Sequence, residues 1–243
     1  MSRIGIIGFG RFGALTARYL STDFSVVVST RSEKDAEILA CGASPASFEE
    51  VCGQPVVILC MPISAMQETL RKAAPQLKKD ALVMDVCSVK VYPVQWMKEL
   101  LPASVSILPT HPMFGPDSAA DSLDNRKIVL CPERIENGQL EKIRNWLRGK
   151  GLVVIETTAD EHDEKIAVSL SLTHFIGRSL SAFGAQDMDI DTEGYKRLMH
   201  ILGVVSHDTW QLFKDMHTYN PYAEKKRRAF MQAMANIDER LIQ

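Results

Sequence analysis

Three glycines near the start of the chain have a spacing that could bring the backbone against a diphosphate. Gly8 permits a tight turn after the β-branched run Ile4–Ile7, and Gly10 offers no side chain that would keep a pyrophosphate away. Gly13 allows the helix that follows, Ala14–Leu20, to pack closely on the strand. An ordinary glycine turn is the alternative, but the strand before the glycines and the helix after them favour a dinucleotide site at a helix N-terminus.

The residues after the second predicted strand indicate which dinucleotide is bound. An acidic residue about 20 residues beyond the glycines usually holds the ribose 2′-hydroxyl of NAD, whereas a 2′-phosphate needs hydroxyls and a cation. The chain reads STRS over residues 29–32, so Arg31 can offer a planar guanidinium among three hydroxyls. Glu33 keeps NAD open, but it follows the cation, and the sequence favours NADP. The predicted cofactor-binding residues are Gly8, Gly10, Arg11, Phe12, Gly13, Ser29, Thr30, Arg31 and Ser32.

Two predicted loops carry polar side chains at the carboxyl ends of strands, the edge at which an open α/β sheet binds ligands. The first loop, Asp85–Lys90, contains Ser88, whose simplest role is to cap the following helix. The second loop, Thr110–Pro116, contains His111 between a strand and two prolines, which predicts a fixed and water-reachable imidazole. A satisfied polar residue at a strand end is the alternative for His111. The residues alone leave both alternatives open.

The elements that would position these residues alternate between strand and helix. Such alternation is typical of a doubly wound, mainly parallel sheet. We therefore predict an α/β, Rossmann-type dinucleotide-binding domain over residues 1–157. Its strands are predicted at Ile4–Ile7, Ser25–Ser29, Val56–Cys60, Leu82–Val86, Ser106–Leu108, Lys127–Cys131 and Leu152–Glu156.

Residues 158–243 have no further strand pattern and are predicted to form a small all-helical domain. The first helix, His162–Phe183, is apolar on more than one face, although a surface helix needs only one apolar stripe. A loop at Gly184–Gly194, a helix over Tyr195–Met216 and a last helix from about Pro221 follow. Because so few helices cannot readily cover that much apolar surface, we expect a homodimer built through this domain.

Composition narrows the classes of partner. With 243 residues, 46% of them hydrophobic, the chain can bury a substantial core. Its formal net charge of −2 argues against a general nucleic-acid binder, so a small molecule is the expected partner. No segment has the apolar length expected of a membrane span, and the chain runs directly into a strand without a cleavable signal. We therefore expect a cytoplasmic protein that does not contact a membrane.

The cysteines and histidines show no metal-ligand spacing, so no metal site is predicted. Five scattered cysteines fit neither a disulfide framework nor a zinc site, and structural thiols in a reducing compartment are expected. Surface or structural roles are expected for His162, His200, His207 and His217.

A set of motifs in order resembles one family over nearly the whole chain. The motif THPMFGPDS, preceded by DVCSVK, is similar to the arogenate and prephenate dehydrogenases of tyrosine biosynthesis, particularly the plant-type arogenate dehydrogenases. The resemblance continues through EHDEKIAVSLSLTHFIGR, the loop DTEGY and SHDTWQLFKDMHTYN.

This resemblance implies a cyclohexadienol substrate with a hydroxyl at C4 and a carboxylate at C1. Loss of a hydride from C4 and of carbon dioxide from C1 aromatises the ring. The resemblance makes His111 the expected acceptor of the hydroxyl proton. Ser88 is expected to align the imidazole or the substrate hydroxyl. His174 matches a substrate-binding position, implying a contact to a substrate carboxylate, and Thr192 in DTEGY matches another.

Asp208 bears on the choice of substrate. Typical bacterial prephenate enzymes carry an arginine on the corresponding helix, whereas this chain reads SHDTW. An aspartate complements the ammonium of arogenate and repels the pyruvyl carboxylate of prephenate, although a solvated acidic residue is the alternative. The resemblance, together with the NADP prediction from Arg31 and its neighbouring hydroxyls, thus implies an NADP-dependent arogenate dehydrogenase. A prephenate dehydrogenase is the second hypothesis, and a non-catalytic NADP-binding sensor is the hypothesis from another class.

Overall fold

A computed structural model describes residues 3–242 and divides the chain into two compact units between Ala159 and Asp160. This division lies two residues beyond the boundary predicted from the sequence. In the described part of the first unit, eight strands form one sheet in the order β3-β2-β1-β4-β5-β6-β7-β8. The strands are β1 (Arg3–Ile7), β2 (Ser25–Ser29), β3 (Ser44–Pro45), β4 (Val56–Leu59), β5 (Leu82–Asp85), β6 (Ser106–Pro112), β7 (Lys127–Leu130) and β8 (Val153–Glu156).

The central strands are buried because their sequences are nearly continuous apolar runs. Ile6, Val57 and Leu59 are at most 1% exposed, as expected when helices cover both faces of a parallel sheet. Strands β1 to β6 pair in parallel, and β7 is antiparallel to β6. The predicted mainly parallel, doubly wound sheet is therefore confirmed. Its helices are α1 (Arg11–Leu20), α2 (Asp35–Ala40), α3 (Phe48–Cys52), α4 (Met66–Ala73), α5 (Val91–Leu100) and α6 (Asn137–Gly149).

The predicted strands agree with the structure to within one residue at each end, except at β6. Strand β6 does not end at Leu108, because it pairs with β5 as far as Pro109 and then with β7 from Thr110 to Pro112. Strand β3 was not predicted, since two residues with a proline give no alternating pattern.

The second unit is helical, as predicted. Its helices are α7 (Ala159–Ile166), a π-helical segment (Ala167–Leu172), α8 (Thr173–Phe183), α9 (Glu193–Ser206), α10 (Trp210–Thr218) and α11 (Ala223–Leu241). The prediction of one helix over Tyr195–Met216 was wrong. The chain breaks at residues 207–209, where the hydroxyl of Thr209 accepts a hydrogen bond from the backbone N–H of Leu212 at 3.1 Å and begins α10.

The segment Ala159–Phe183 is long and apolar enough to cross a membrane by length and composition. The expectation that no segment has this property was therefore wrong. A single such helix is weak support for a membrane span, because the core helix of a globular domain passes the same test. Its first turns also carry the charged residues Asp160, Glu161, Asp163, Glu164 and Lys165.

Candidate functional site

The glycine turn between β1 and α1 has the shape of a phosphate cradle. Gly8 has a φ of +103°, and a Cβ there would lie 2.2 Å from the carbonyl oxygen of Cys60. A Cβ on Gly13 would lie 2.3 Å from the carbonyl oxygen of Gly8, so helix and turn require glycine at both positions. A Cβ on Gly10 would meet nothing within 4 Å, which leaves the N-terminus of α1 open. This donor set fits a pyrophosphate.

The two side chains after Gly10 have partners elsewhere in the first unit. Arg11 forms an ion pair with Asp117, and the Phe12 ring centroid lies 6.1 Å from that of Phe114. Both contacts reach the loop that follows β6. The backbone amides at the start of α1 are consequently the groups best suited to a diphosphate.

The end of β2 presents the predicted cation beside hydroxyls. Ser29 and Thr30 are half-buried, while Arg31 and Ser32 are exposed. The pKa of the exposed Glu68 carboxyl is lowered, chiefly by Lys72 and to a smaller extent by the positive charge of Arg31. Arg31 is thus an exposed cation whose field reaches the neighbouring helix α4.

Ser88 does not cap the helix that follows it. Helix α5 begins at Val91, its cap position is Lys90, and no side chain makes a cap hydrogen bond there. The Ser88 Oγ is buried and makes no hydrogen bond to any residue of the described range 3–242. This geometry removes the helix-cap alternative and leaves a hydroxyl without a partner at the carboxyl end of β5.

A buried ion pair that the sequence analysis missed ties the Ser88 loop to β6. Lys90 and Asp85 are both 0% exposed, and the Lys90 ammonium donates to the Asp85 carboxylate and, at 2.5 Å, to the carbonyl oxygen of Thr110. The Thr110 hydroxyl donates to the backbone carbonyl of Asp85 at 2.6 Å, and the Cys87 N–H donates to its carboxylate at 2.8 Å. The segment DVCSVK lies between apolar strands, and nothing in its pattern indicated that Asp85 and Lys90 would form an ion pair.

His111 lies in β6 and is 6% exposed. The prediction of a water-reachable loop was therefore wrong, because antiparallel pairing of His111 with Val129 extends the strand past Pro109. The Thr110 contacts to Asp85 connect this strand directly to the loop of Ser88. Ser88 thus follows β5, and His111 lies near the carboxyl end of the adjacent parallel strand β6, at the same edge of the sheet.

Two thiols beside these residues are not poised as nucleophiles. Burial raises the pKa of Cys60 to about 12 and that of Cys87 well above its ordinary value, with the Asp85 charge adding to the shift at Cys87. Both cysteines are free, like the remaining described cysteines. They pack as small apolar side chains.

A cavity of about 500 Å³ lies between α1, α6 and the sheet. Its lining is apolar and includes Phe12, Leu15 and Trp146, but none of the glycines, Ser88 or His111. We therefore place the candidate site at the sheet edge rather than in this cavity.

The helical unit places His174 next to Asp208. His174 on α8 is 5% exposed, and its Nε2 lies 3.7 Å from the Asp208 Oδ2 in the turn between α9 and α10. Burial lowers the pKa of His174, with Asp208 opposing the shift and Arg178 adding to it. Thr192 begins α9, and its hydroxyl accepts a hydrogen bond from the Tyr195 N–H at 3.2 Å.

His217 is a further histidine close to this pair. Its ring lies 4.7 Å from that of Phe213 and 6.4 Å from that of Phe175, centroid to centroid. These side chains line a cavity of about 420 Å³ together with Trp210. Burial and the nearby Arg227 lower the pKa of His217 to about 4. We expected a structural role for His217, but the sequence gave no indication that it lies in an aromatic cluster near His174.

Two family models match the chain. One, described as prephenate dehydrogenase, nucleotide-binding domain, matches residues 23–156, which is more than half of the sequence. The other, described as TYRAAT1-like, C-terminal domain, matches residues 179–243. The chain belongs to the prephenate dehydrogenase family. The family resemblance carried by the motifs around Ser88 and His111 is thereby confirmed.

Curated relatives of this chain include two plant enzymes. Arogenate dehydrogenase 1 of Arabidopsis thaliana is 32% identical over 98% of this chain, which spans 39% of that relative. Arogenate dehydrogenase 2 of the same plant is 30% identical over 98% of this chain, which spans 70% of its length. The solved structure of prephenate dehydrogenase from A. aeolicus, in complex with hydroxyphenyl propionate and NAD+, superimposes with a TM-score of 0.81 at 19% identity, covering 100% of this chain and 91% of that one.

Proposed function

We propose that this family member is an NADP-dependent arogenate dehydrogenase that converts arogenate to tyrosine by oxidative decarboxylation. The observation that carries the proposal is the position of Ser88 and His111 at the carboxyl edge of β5 and β6, in the same sheet as the phosphate cradle after β1. That edge is where open α/β sheets bind their ligands.

The proposed reaction requires little covalent chemistry from the protein side chains. Bound NADP would accept the hydride from ring C4. The bond between C1 and its carboxylate breaks, carbon dioxide leaves, and the electron pair completes the aromatic ring. Because aromatisation drives the step, the side chains have to orient the ring and take the proton of the C4 hydroxyl.

His111 is the residue to which we assign that proton. An imidazole has an ordinary pKa close to neutrality, so it can act as a base at physiological pH. Its burial in β6 fixes the ring and limits competition by water. Ser88 has an unpartnered hydroxyl on the adjoining loop, and we assign it the alignment of the imidazole or the substrate hydroxyl.

Recognition of the substrate side chain is assigned to His174, Thr192 and Asp208. The Asp208 carboxylate is 29% exposed, so a ligand can reach it. Its charge would attract the ammonium of arogenate and repel the pyruvyl carboxylate of prephenate. This difference is our reason for preferring arogenate.

NADP rather than NAD is assigned from the end of β2. Arg31 is exposed there, with the Ser29 and Thr30 hydroxyls beside it in the chain. A guanidinium and hydroxyls complement a 2′-phosphate, whereas a ribose hydroxyl calls for a carboxylate.

We also propose that the protein is a homodimer formed through its helical unit. Large apolar side chains are exposed there, including Phe183 at 85%, Ile190 at 88% and Met234 at 57%. A second copy would cover them. Sedimentation equilibrium of the wild type and of Met234→Glu, with the exposed Lys142→Glu on α6 as control, tests this assembly. We expect a dimer that only the α11 substitution weakens, whereas a monomeric wild type would refute it.

Prephenate dehydrogenase is the second candidate because one observation favours it. Arg178 lies next to Asp208, and its charge could attract the pyruvyl carboxylate of prephenate and offset the repulsion by Asp208. Nicotinamide absorbance and product analysis, with NADP and either substrate, distinguish the candidates. We expect kcat/KM for arogenate to exceed that for prephenate by about tenfold or more, the scale of one charged contact. Preference for prephenate would support the second candidate, and NADP binding without turnover of either substrate would support a sensor.

A further inference from the structure

Helix α8 carries two polar side chains on one face. His174 and Arg178 are four residues apart, so they lie one above the other on the helix. Gly177 lies between them in sequence, and a Cβ there would meet the Val205 side chain at 2.6 Å. Helices α8 and α9 are therefore closely packed beside this polar face.

The turn between α9 and α10 holds the Arg178 guanidinium in place. The Nη2 of Arg178 donates to the backbone carbonyl of Asp208, and its guanidinium carbon lies 5.8 Å from the ring centroids of both Trp210 and Phe213. One hydrogen bond and two aromatic faces thus fix a cation at this turn.

The Arg178 guanidinium does not pair with the Asp208 carboxylate in the described structure. Within residues 3–242, Arg178 has no salt bridge to Asp208, and the carboxylate instead lies 3.7 Å from the His174 Nε2. Burial lowers the pKa of His174, which disfavours a positive charge on the imidazole beside this carboxylate. A fixed cation and a carboxylate that it does not pair with consequently lie side by side.

Two buried nitrogen atoms at this position lack partners. The Nε of Arg178 and the Nδ1 of His174 are buried and make no hydrogen bond to the part of the chain that the structure describes. Leaving buried polar groups unpaired is unfavourable, and such groups are usually satisfied by water or a ligand. A ligand that offers both a carboxylate and an ammonium complements this arrangement.

We propose that Arg178 binds the α-carboxylate of the substrate side chain while Asp208 binds its α-ammonium. The pair selects a zwitterionic amino-acid side chain over one that carries a carboxylate alone. This inference rests on the proposed function, because it takes arogenate as the substrate. It makes Arg178 a specificity-determining residue that the sequence analysis did not identify.

Three ligands that bind without turnover distinguish the contact made by Arg178 from the contact made by Asp208. L-Tyrosine carries both groups, 3-(4-hydroxyphenyl)propionate carries the carboxylate alone, and tyramine carries the ammonium alone. Their dissociation constants are measured by calorimetry on the full chain with NADP present. The wild type should bind tyrosine most tightly, since only this probe makes both contacts.

The substitutions should act on different probes. Arg178→Gln should weaken tyrosine and the propionate by about ten- to a hundredfold, the scale of a charge-assisted contact, and leave tyramine unchanged. Asp208→Asn should weaken tyrosine and tyramine but strengthen the propionate, because it removes a charge that repels a lone carboxylate. Arg178→Lys should recover part of the carboxylate affinity. Lys225→Gln, an equal loss of charge at an exposed position on α11, is the control and should change none of the three.

Several results would overturn the inference. If Arg178→Gln weakened all three probes equally, Arg178 would only support the turn at Asp208. If the wild type bound none of the probes, or bound the propionate as tightly as tyrosine, the charge pair would have no role in recognition. Wild-type turnover separates this inference from the proposed function, because an inactive protein could still show the predicted pattern of binding.

Discussion

The ammonium of Lys90 and the carboxylate of Asp85 form a fully buried ion pair across the loop that contains Ser88. Lys90→Met would leave the Asp85 charge buried without its partner, which typically costs about 3–5 kcal/mol. We expect the free energy of unfolding, measured with urea, to fall by this amount.

An exposed ion pair provides the control for that measurement. Lys98 lies 3.0 Å from Glu133, and its side chain is 57% exposed. Lys98→Met should therefore change the free energy of unfolding by less than about 1 kcal/mol. Equal effects of the two substitutions would contradict a special role of the buried pair.

Arg31 is expected to discriminate between the two dinucleotides. Arg31→Ala removes a charge-assisted contact to the 2′-phosphate, so the dissociation constant for NADP should rise about ten- to a hundredfold while that for NAD changes little. Fluorescence titration with each dinucleotide measures this. Lys34→Ala, a nearby cation that already pairs with Glu37, is the control. An unchanged NADP affinity in Arg31→Ala would remove this assignment.

His111→Asn tests the proton-accepting role. Loss of a general base typically lowers turnover by about a hundredfold or more, whereas dinucleotide binding at the phosphate cradle after β1 should persist. Steady-state kinetics with arogenate and a separate NADP titration measure the two effects. The exposed His200→Asn should retain full activity. Turnover of His111→Asn within a few-fold of the wild type would rule out the role.

His217 should make the protein less stable in weak acid. Its pKa is lowered from 6.5 to about 4 in the folded state, so the unfolded chain takes up the proton first as the pH falls. The free energy of unfolding therefore decreases as the pH falls from 6.5 towards 4. Above pH 6.5, His217 adds no pH dependence to it. Urea unfolding across this window should show a shallower pH dependence for His217→Asn than for the wild type. Identical slopes would contradict the shifted pKa.

Local pattern was sufficient to predict much of the first unit. Continuous apolar runs predicted the central strands, and the spacing of Gly8, Gly10 and Gly13 predicted a cradle because backbone geometry requires glycine there. The extension of β6 through His111 depends on pairing with β7, which is a tertiary contact. Short-range periodicity contains no information about that partner.

The candidate site was predicted less completely than the fold. Motif resemblance indicated Ser88, His111, His174 and Asp208, but not Lys90, whose importance comes from burial beside Asp85. Arg178 was likewise missed, because it approaches Asp208 across 30 residues of sequence. Burial in the folded sheet decides the first case, and a contact between residues distant in the chain decides the second.

The preference for arogenate rests on the charge of Asp208, and one comparison tests it most directly. Asp208→Asn keeps the shape of the side chain but removes the charge that attracts an ammonium and repels a pyruvyl carboxylate. The ratio of kcat/KM for arogenate to that for prephenate is measured in the wild type and in this variant. We expect the ratio to fall by about five- to a hundredfold, with prephenate activity rising. An unchanged ratio would show that Asp208 does not contact the substrate and would contradict the account.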